Sequence, residues 1–207
     1  KIYILADWNV SNVTSMQNMF KGATQFNENI SDWDVSNVTN MSNMFYQATI
    51  FNQPIGNWDV SNVTSMNTMF RMSDFNQQLN SWNVSKVSNM GGMFKSTPFN
   101  QNISDWDVSN VTSMNFMFQS ASLFNQDISY WNIENVNSWT DFGTGAALMN
   151  DDFRIISATS KWNYFKYKFE NKTALETAVT NWISDSPGAI VNYGDITNWD
   201  VSQVTDM

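Results

Sequence analysis

The chain reads as an α/β repeat solenoid, in which each coil of roughly 25 residues supplies one short parallel strand and one short helix or 3₁₀ turn. A C-terminal α+β cap segment closes it. Three observations predict this class. Trp8, Trp33, Trp58, Trp82, Trp106 and Trp131 follow one another at intervals of 25, 25, 24, 24 and 25 residues, and self-similarity at such a period marks stacked structural units. The stretch Trp33-Asp34-Val35-Ser36-Asn37-Val38-Thr39 returns, whole or lightly edited, along the chain. Within one unit the apolar residues change period, from a strand-like run to a helical one.

The first five residues, ending at Leu5, read as a strand leading into the repeat at Trp8. In the unit from Trp33 to Asn57, the apolar positions are Trp33, Val35, Val38, Met41, Met44, Phe45, Ala48, Phe51 and Ile55. Around Ile55 to Val60, β-branched and aromatic residues bounded by Pro54, Gly56 and Asn57 predict a short strand. Val63, Met66, Met69 and Phe70 recur three or four apart, with Ser61, Asn62 and Thr64 placed to cap a turn or two of helix.

Stacking puts like residues on like. Phe26, Phe51, Phe75, Phe99 and Phe124 form one column, and Phe20, Phe45, Phe70, Phe94 and Phe118 a second. Two more are methionine: Met16, Met41, Met66, Met90 and Met114, then Met19, Met44, Met69, Met93 and Met117. A methionine stripe can hold a soft metal, but these lie on the core phase, where an unbranched thioether fills the space under a short helix. All four columns are expected to be buried at every repeat.

Polar columns accompany them. Asn12, Asn37, Asn62 and Asn110 share one position, broken by Lys86, and are expected to be buried at a turn where they satisfy backbone groups of adjacent coils. Lys86 should be turned outward. Asp34, Asp59 and Asp107 alternate with Asn9, Asn83 and Asn132. Carboxylates stacked about 4.8 Å apart repel, so these tilt toward backbone N–H groups or lie on the open face; a calcium ion bridging them is the functional alternative.

The repeat decays after Trp131. Trp139 and Phe142 replace methionine positions, and Gly143 to Ala147 read as a flexible break where an array ends. The solenoid is therefore assigned to 1–135, the array end and an aromatic, basic cap segment to 136–172, and a capping helix with the start of a new array to 173–207. From Lys161 to Phe169 lysines interleave with Trp162, Tyr164, Phe165 and Tyr167, a cap sheet or a surface for stacking sugars or bases. Thr173 and Glu176 form a capping box. Leu175, Ala178, Val179, Trp182 and Ile183 then make one apolar stripe of a helix ended by Ser184 to Gly188. The motif restarts from Tyr193 to Met207, so that Leu5 and Trp8 are equivalent to Ile196 and Trp199, 191 residues further on. These four are candidates for an end-to-end contact.

Composition narrows the function. Ten Lys plus Arg against nineteen Asp plus Glu leave a net charge of −9 over 207 residues, which argues against nucleic acid or an anionic membrane as partner. With no histidine and no cysteine, the commonest general base, thiol nucleophiles, disulfides and Cys/His zinc sites are all absent. No apolar run is long enough to span a bilayer as a helix, so no membrane insertion is expected of this segment.

The sequence Trp-Asp-Val-Ser-Asn-Val-Thr-x-Met-x-x-Met-Phe, followed by Phe-Asn-Gln at Phe51-Asn52-Gln53, Phe99-Asn100-Gln101 and Phe124-Asn125-Gln126, resembles the BspA-like leucine-rich-repeat surface proteins, in their roughly 25-residue mycoplasma lipoprotein form. The resemblance covers residues 1–135. It implies a leucine-rich-repeat-like open right-handed solenoid, located extracellularly or at a cell surface and serving attachment or envelope structure, with no catalytic residues to transfer.

Ten asparagines precede x-Ser or x-Thr, most of them generated by the repeat itself. Outside the expected buried column, Asn29, Asn102 and Asn171 are the candidate glycosylation sites. Three function classes follow. A structural or adhesive surface solenoid, with the chain itself as head-to-tail partner in a linear array or filament, accounts for the period and the matching motifs. A carbohydrate- or host-surface-protein-binding adhesin would use exposed aromatics such as Trp162, Tyr164 and Tyr167. An enzyme would need a carboxylate pair drawn from Asp151, Asp152 and Glu170, whose spacing favours no chemistry. The expectation is a non-enzyme with no cofactor, calcium apart.

Overall fold

The computed structural model describes residues 5, 8–128, 131–146 and 172–184. The expected strand over 1–4, the aromatic and basic segment, Asn171 and the restarted motif lie outside them. The chain divides into two compact units, one made of Lys1–Gln126 with Trp131–Met149, the other of Asp127–Tyr130 with Asn150–Met207.

In the first unit, coils beginning at Leu5, Ile30, Ile55, Leu79 and Ile103 and a sixth from Trp131 lie on one another in parallel. Single parallel bridges join Ser15, Asn40, Ser65, Asn89, Ser113 and Ser138 in succession. Past each bridge, every second residue donates its N–H to a carbonyl of the following coil. Met16, Asn18, Phe20 and Gly22 donate to Asn40, Ser42, Met44 and Tyr46 at 2.9, 3.0, 2.9 and 2.7 Å. The same four positions repeat at all five interfaces, ending with Met114, Phe116, Phe118 and Ser120 on Ser138, Thr140, Phe142 and Thr144.

The segments expected to be helical are instead overlapping turns, closed by bonds such as Met19 N–H to Met16 O and Ala23 N–H to Phe20 O. The reason lies in the backbone. Two positions per coil, four residues apart, have positive φ: Asn18 and Gly22, Asn43 and Gln47, Thr68 and Met72, Gly92 and Ser96, Phe116 and Ser120, Asp141 and Gly145. Each falls at the third residue of its turn, where a type II turn requires the left-handed region, and a right-handed helix cannot run through such a residue. A helix would also consume within the coil the N–H groups that here reach the next one. The strand expected from Ile55 to Val60 holds no bridge; the single bridges fall instead at Ser65 and its equivalents, within the segment expected to be helical.

The core runs down the stack. Phe45 and Phe51, Phe70 and Phe75, Phe94 and Phe99, and Phe118 and Phe124 stack face to face at 3.8 to 4.0 Å between centroids. Successive pairs lie 5.6 to 6.3 Å apart, which makes the rings a continuous double column. Each tryptophan from Trp33 to Trp131 is 3–4% exposed. Its indole N–H donates to the Leu or Ile carbonyl that opens the preceding coil, as Trp58 does to Ile30 at 3.1 Å. The methionine columns are buried from Met41 to Met117.

The coil pattern continues beyond residue 135, where the sequence ended the solenoid, and includes Gly143 to Ala146, which it read as part of a flexible break. Phe142 packs edge-on against Phe118 at 5.4 Å. Gly143 is buried, and Gly145 takes the second positive-φ position with φ 83°. Gly145 belongs to the sixth coil because the column needs the left-handed region there.

Within the second unit, α1 spans Lys172–Ser184. Ala178 is buried and Leu175 and Val179 half-buried, but Ile183 is 79% exposed and does not belong to the buried stripe. Five residues at 100° each place it about 140° around the helix from Ala178. Thr177, Thr180 and Ser184 hydroxyls bond back to carbonyls four residues earlier.

Candidate functional site: the coil edge and its columns

Asparagine and threonine side chains tie the coils together outside the core. Asn37, Asn62, Asn110 and Asn135 donate from Nδ2 to the carbonyls of Ser11, Ser36, Ser85 and Ser109 at 2.7 to 2.8 Å. Asn12, Asn37 and Asn110 are nevertheless exposed and Asn62 half-buried, which corrects the expected burial: the backbone turn they serve lies on the rim, and the amide reaches inward to it. Lys86, exposed as expected, reaches Asn62 Oδ1 with Nζ at 2.7 Å. Asn135 was missed because Glu134 replaces the motif serine before it.

A second ladder escaped the sequence reading. Asn27, Asn52, Asn76 and Asn100 each accept, through Oδ1, the backbone N–H of the next coil's asparagine at 2.9 Å. Gln77, Gln101 and Gln126 donate to the same oxygens. The repeated Phe-Asn-Gln was its signal.

The carboxylates of Asp34, Asp59 and Asp107 are exposed and turn to their own loops. Each accepts the N–H of the serine two residues on, at 3.0 to 3.1 Å. Serine hydroxyl and backbone N–H together hold all three below the ordinary carboxylate range. Among the described residues no cluster of three or more acidic side chains is placed to hold a metal ion. Asp59 and Asn83 line a shallow groove of ≈ 380 Å³ with Gly56 and Ser81, but Trp58 beneath it is only 3% exposed and offers no ring face.

A lateral column carries cations on aromatic faces. Lys21 and Arg71 approach the Tyr46 ring from two sides, at 5.5 and 5.3 Å from its centroid, and Lys95 lies 4.9 Å above Phe116. Arg71 Nε is buried with no hydrogen-bond partner.

The first coil is the exception to the core. Trp8 is 49% exposed and Met19 36%; Phe20 and Phe26 are half-buried. Among the described residues, Trp8 Nε1, Asn12 Nδ2, Thr14 N–H and the carbonyls of Ser15, Gln17, Met19 and Lys21 have no partner, although their counterparts in every later coil do. Among the described residues, the N–H groups of Asp141, Gly143 and Gly145 in the sixth coil are the matching unused donors. Leu5 accepts the Trp33 indole N–H at 3.1 Å; Ile196 and Trp199 lie outside the described residues. Asn29 and Asn102 are exposed, and their Oδ1 atoms accept Ser31 and Ser104 N–H at 2.9 Å. Asp151, Asp152, Glu170, Trp162, Tyr164 and Tyr167 are outside the described residues. No described helix is long and apolar enough to cross a membrane.

Residues 3–98 and 71–182 each match the family model described as Mycoplasma protein of unknown function, DUF285. Among curated proteins and among solved structures, nothing matches the chain.

Proposed function

The chain belongs to the DUF285 family of mycoplasma proteins of unknown function, and on that premise we propose that it is a non-enzymatic, structural or adhesive repeat protein of the cell surface or extracellular space. It forms a linear array by head-to-tail stacking of leucine-rich-repeat-like, BspA-type solenoid units. One observation carries this reading: a single coil-on-coil contact, with the same four N–H groups reaching the next coil, repeats at five successive interfaces in one direction, and a contact that adds units in this way does not close on itself. Contacts of that heterologous kind propagate rather than close, and unpaired ladder edges are the surfaces that drive them.

Electron microscopy of the isolated protein tests it. Filaments with a regular axial repeat support the array; dispersed particles at every concentration refute it. A second reading, a module binding carbohydrate or a host surface protein, draws on the Lys21, Arg71 and Lys95 column. It predicts saturable binding of an acidic polysaccharide that is lost when all three become glutamine.

A further inference from the structure

We infer that copies of this chain pair side by side with their stacks antiparallel, the basic column of one copy lying along the acidic column of another. The array reading above concerns contacts along the stack. This contact runs across it and uses different residues.

Both columns hold fixed positions of the coil. Lys21, Tyr46, Arg71, Lys95 and Gln119 directly follow Phe20, Phe45, Phe70, Phe94 and Phe118 on coils one to five. On the same coils Asn9, Asp34, Asp59, Asn83 and Asp107 directly follow the tryptophan, twelve residues earlier in each case. Within one copy neither column is neutralised by the other. Lys21, Arg71 and Lys95 rest on the Tyr46 and Phe116 rings and form no ion pair with a described carboxylate. Arg71 Nε has no hydrogen-bond partner. Arg71 and Lys95 stand on adjacent coils, as do Asp34 and Asp59, and like charges directly opposite one another across a ladder are destabilising. Each column thus holds a repulsion that opposite charges from outside relieve.

The order of the charges sets the register. From coil one to coil five the basic column reads positive, neutral, positive, positive, neutral, and the acidic column reads neutral, negative, negative, neutral, negative. Laid antiparallel, the two are complementary at all five coils. Lys21 meets Asp107, Arg71 meets Asp59 and Lys95 meets Asp34, while the neutral Tyr46 and Gln119 meet Asn83 and Asn9. A parallel alignment unites at most two opposite pairs, whatever the shift. Charges beside the acidic column fit the same alignment. Asp32 and Asp105, both exposed, strengthen the coils that face Lys95 and Lys21, and the exposed Lys86 faces the Tyr46 ring, which attracts a cation. The contact joins unlike surfaces, so it propagates sideways from copy to copy.

Charge reversal tests it. The variants Lys21→Glu/Arg71→Glu/Lys95→Glu and Asp34→Lys/Asp59→Lys/Asp107→Lys should each self-associate about a hundredfold more weakly in sedimentation, because like charges are then set against each other. An equimolar mixture of the two should regain association. Since the chain has no cysteine, the proteins Gln119→Cys and Asn9→Cys, otherwise unchanged, report the register and should form a mixed disulfide on oxidation. A mixture that stays dispersed, together with no such disulfide, overturns the inference. So does a disulfide between Gln119→Cys and Asn132→Cys in its place, which marks a parallel register. A parent chain that stays single while binding an acidic polysaccharide also overturns it and assigns the basic column to that ligand. In electron micrographs, filaments that separate into single strands in both reversed variants support the inference and keep the array. Lateral pairs without filaments support it and remove the array.

Discussion

The second coil and the first are built from nearly the same residues, yet Trp33 is 4% exposed and Trp8 49%, and Met44 is fully buried while Met19 is 36% exposed. The motif does not bury itself. Burial belongs to the interface between neighbouring coils, as in a one-dimensional stack where each unit gains most of its stability from the next. The first coil therefore measures what a coil is worth with one neighbour, and the central coils what it is worth with two.

The largest effect should come from the ring columns. Phe70→Ala, between two fully buried neighbours, should cost about 3–5 kcal/mol, whereas Phe26→Ala, at the half-buried end, should cost no more than about 2 kcal/mol. Urea unfolding of the two variants, read with hydrogen exchange by coil, would break the comparison if the losses were equal. Next is the indole bond. Trp82→Phe removes the indole bond to the Ile55 carbonyl, which keeps the Trp58 N–H, and should cost about 0.5–1.5 kcal/mol, while Trp8→Phe, with no bond to lose among the described residues, should lie within about 0.5 kcal/mol of the parent.

Backbone strain gives a smaller pair of opposite signs. Met72 holds φ 59° in an exposed turn, so Met72→Gly should raise stability by about 1 kcal/mol, and Gly22→Ala, at φ 72°, should lower it by about as much. Thermal midpoints suffice to compare them. Smallest is the acid response. The pKa of Asp34, Asp59 and Asp107 is depressed in the fold by serine hydroxyl and N–H donors. Their contribution is thus complete above the ordinary carboxylate range and lost as pH falls through the depressed values. Replacing all three with asparagine, the residue at Asn9, Asn83 and Asn132, should flatten the fall of the unfolding midpoint between about pH 5 and 2.

What was legible follows the same line. Columns are a property of period, and one period fixes which residues stack, so the Phe, Met and Trp columns could be read from spacing alone. Even the exposed members, Met19 and Trp8, cluster at one end rather than scattering. The turns were not legible, because the left-handed positions hold Asn43, Thr68, Gly92 and Phe116 in successive coils. Stacking imposes that conformation on residues with no preference for it, and a helical spacing of Met and Phe is equally what two overlapping turns produce. Asn12 and its column were assigned the right partner type and the wrong depth, since periodicity does not distinguish a side chain inside a turn from one reaching in from its rim.

The four N–H groups per coil that reach forward have a collective electrical consequence. Each aligned peptide carries a dipole of about 3.5 D, and here the aligned peptides of six coils add along the stack instead of along a helix. The sixth coil thus ends in partial positive charge and the first in partial negative charge. Asp141, placed among the unused N–H groups, complements its end as an acidic residue does at a helix N-terminus. Two such stacks meeting through like ends would set carbonyl oxygen against carbonyl oxygen, so the ladder gives the molecule a polarity along which copies can add in only one orientation.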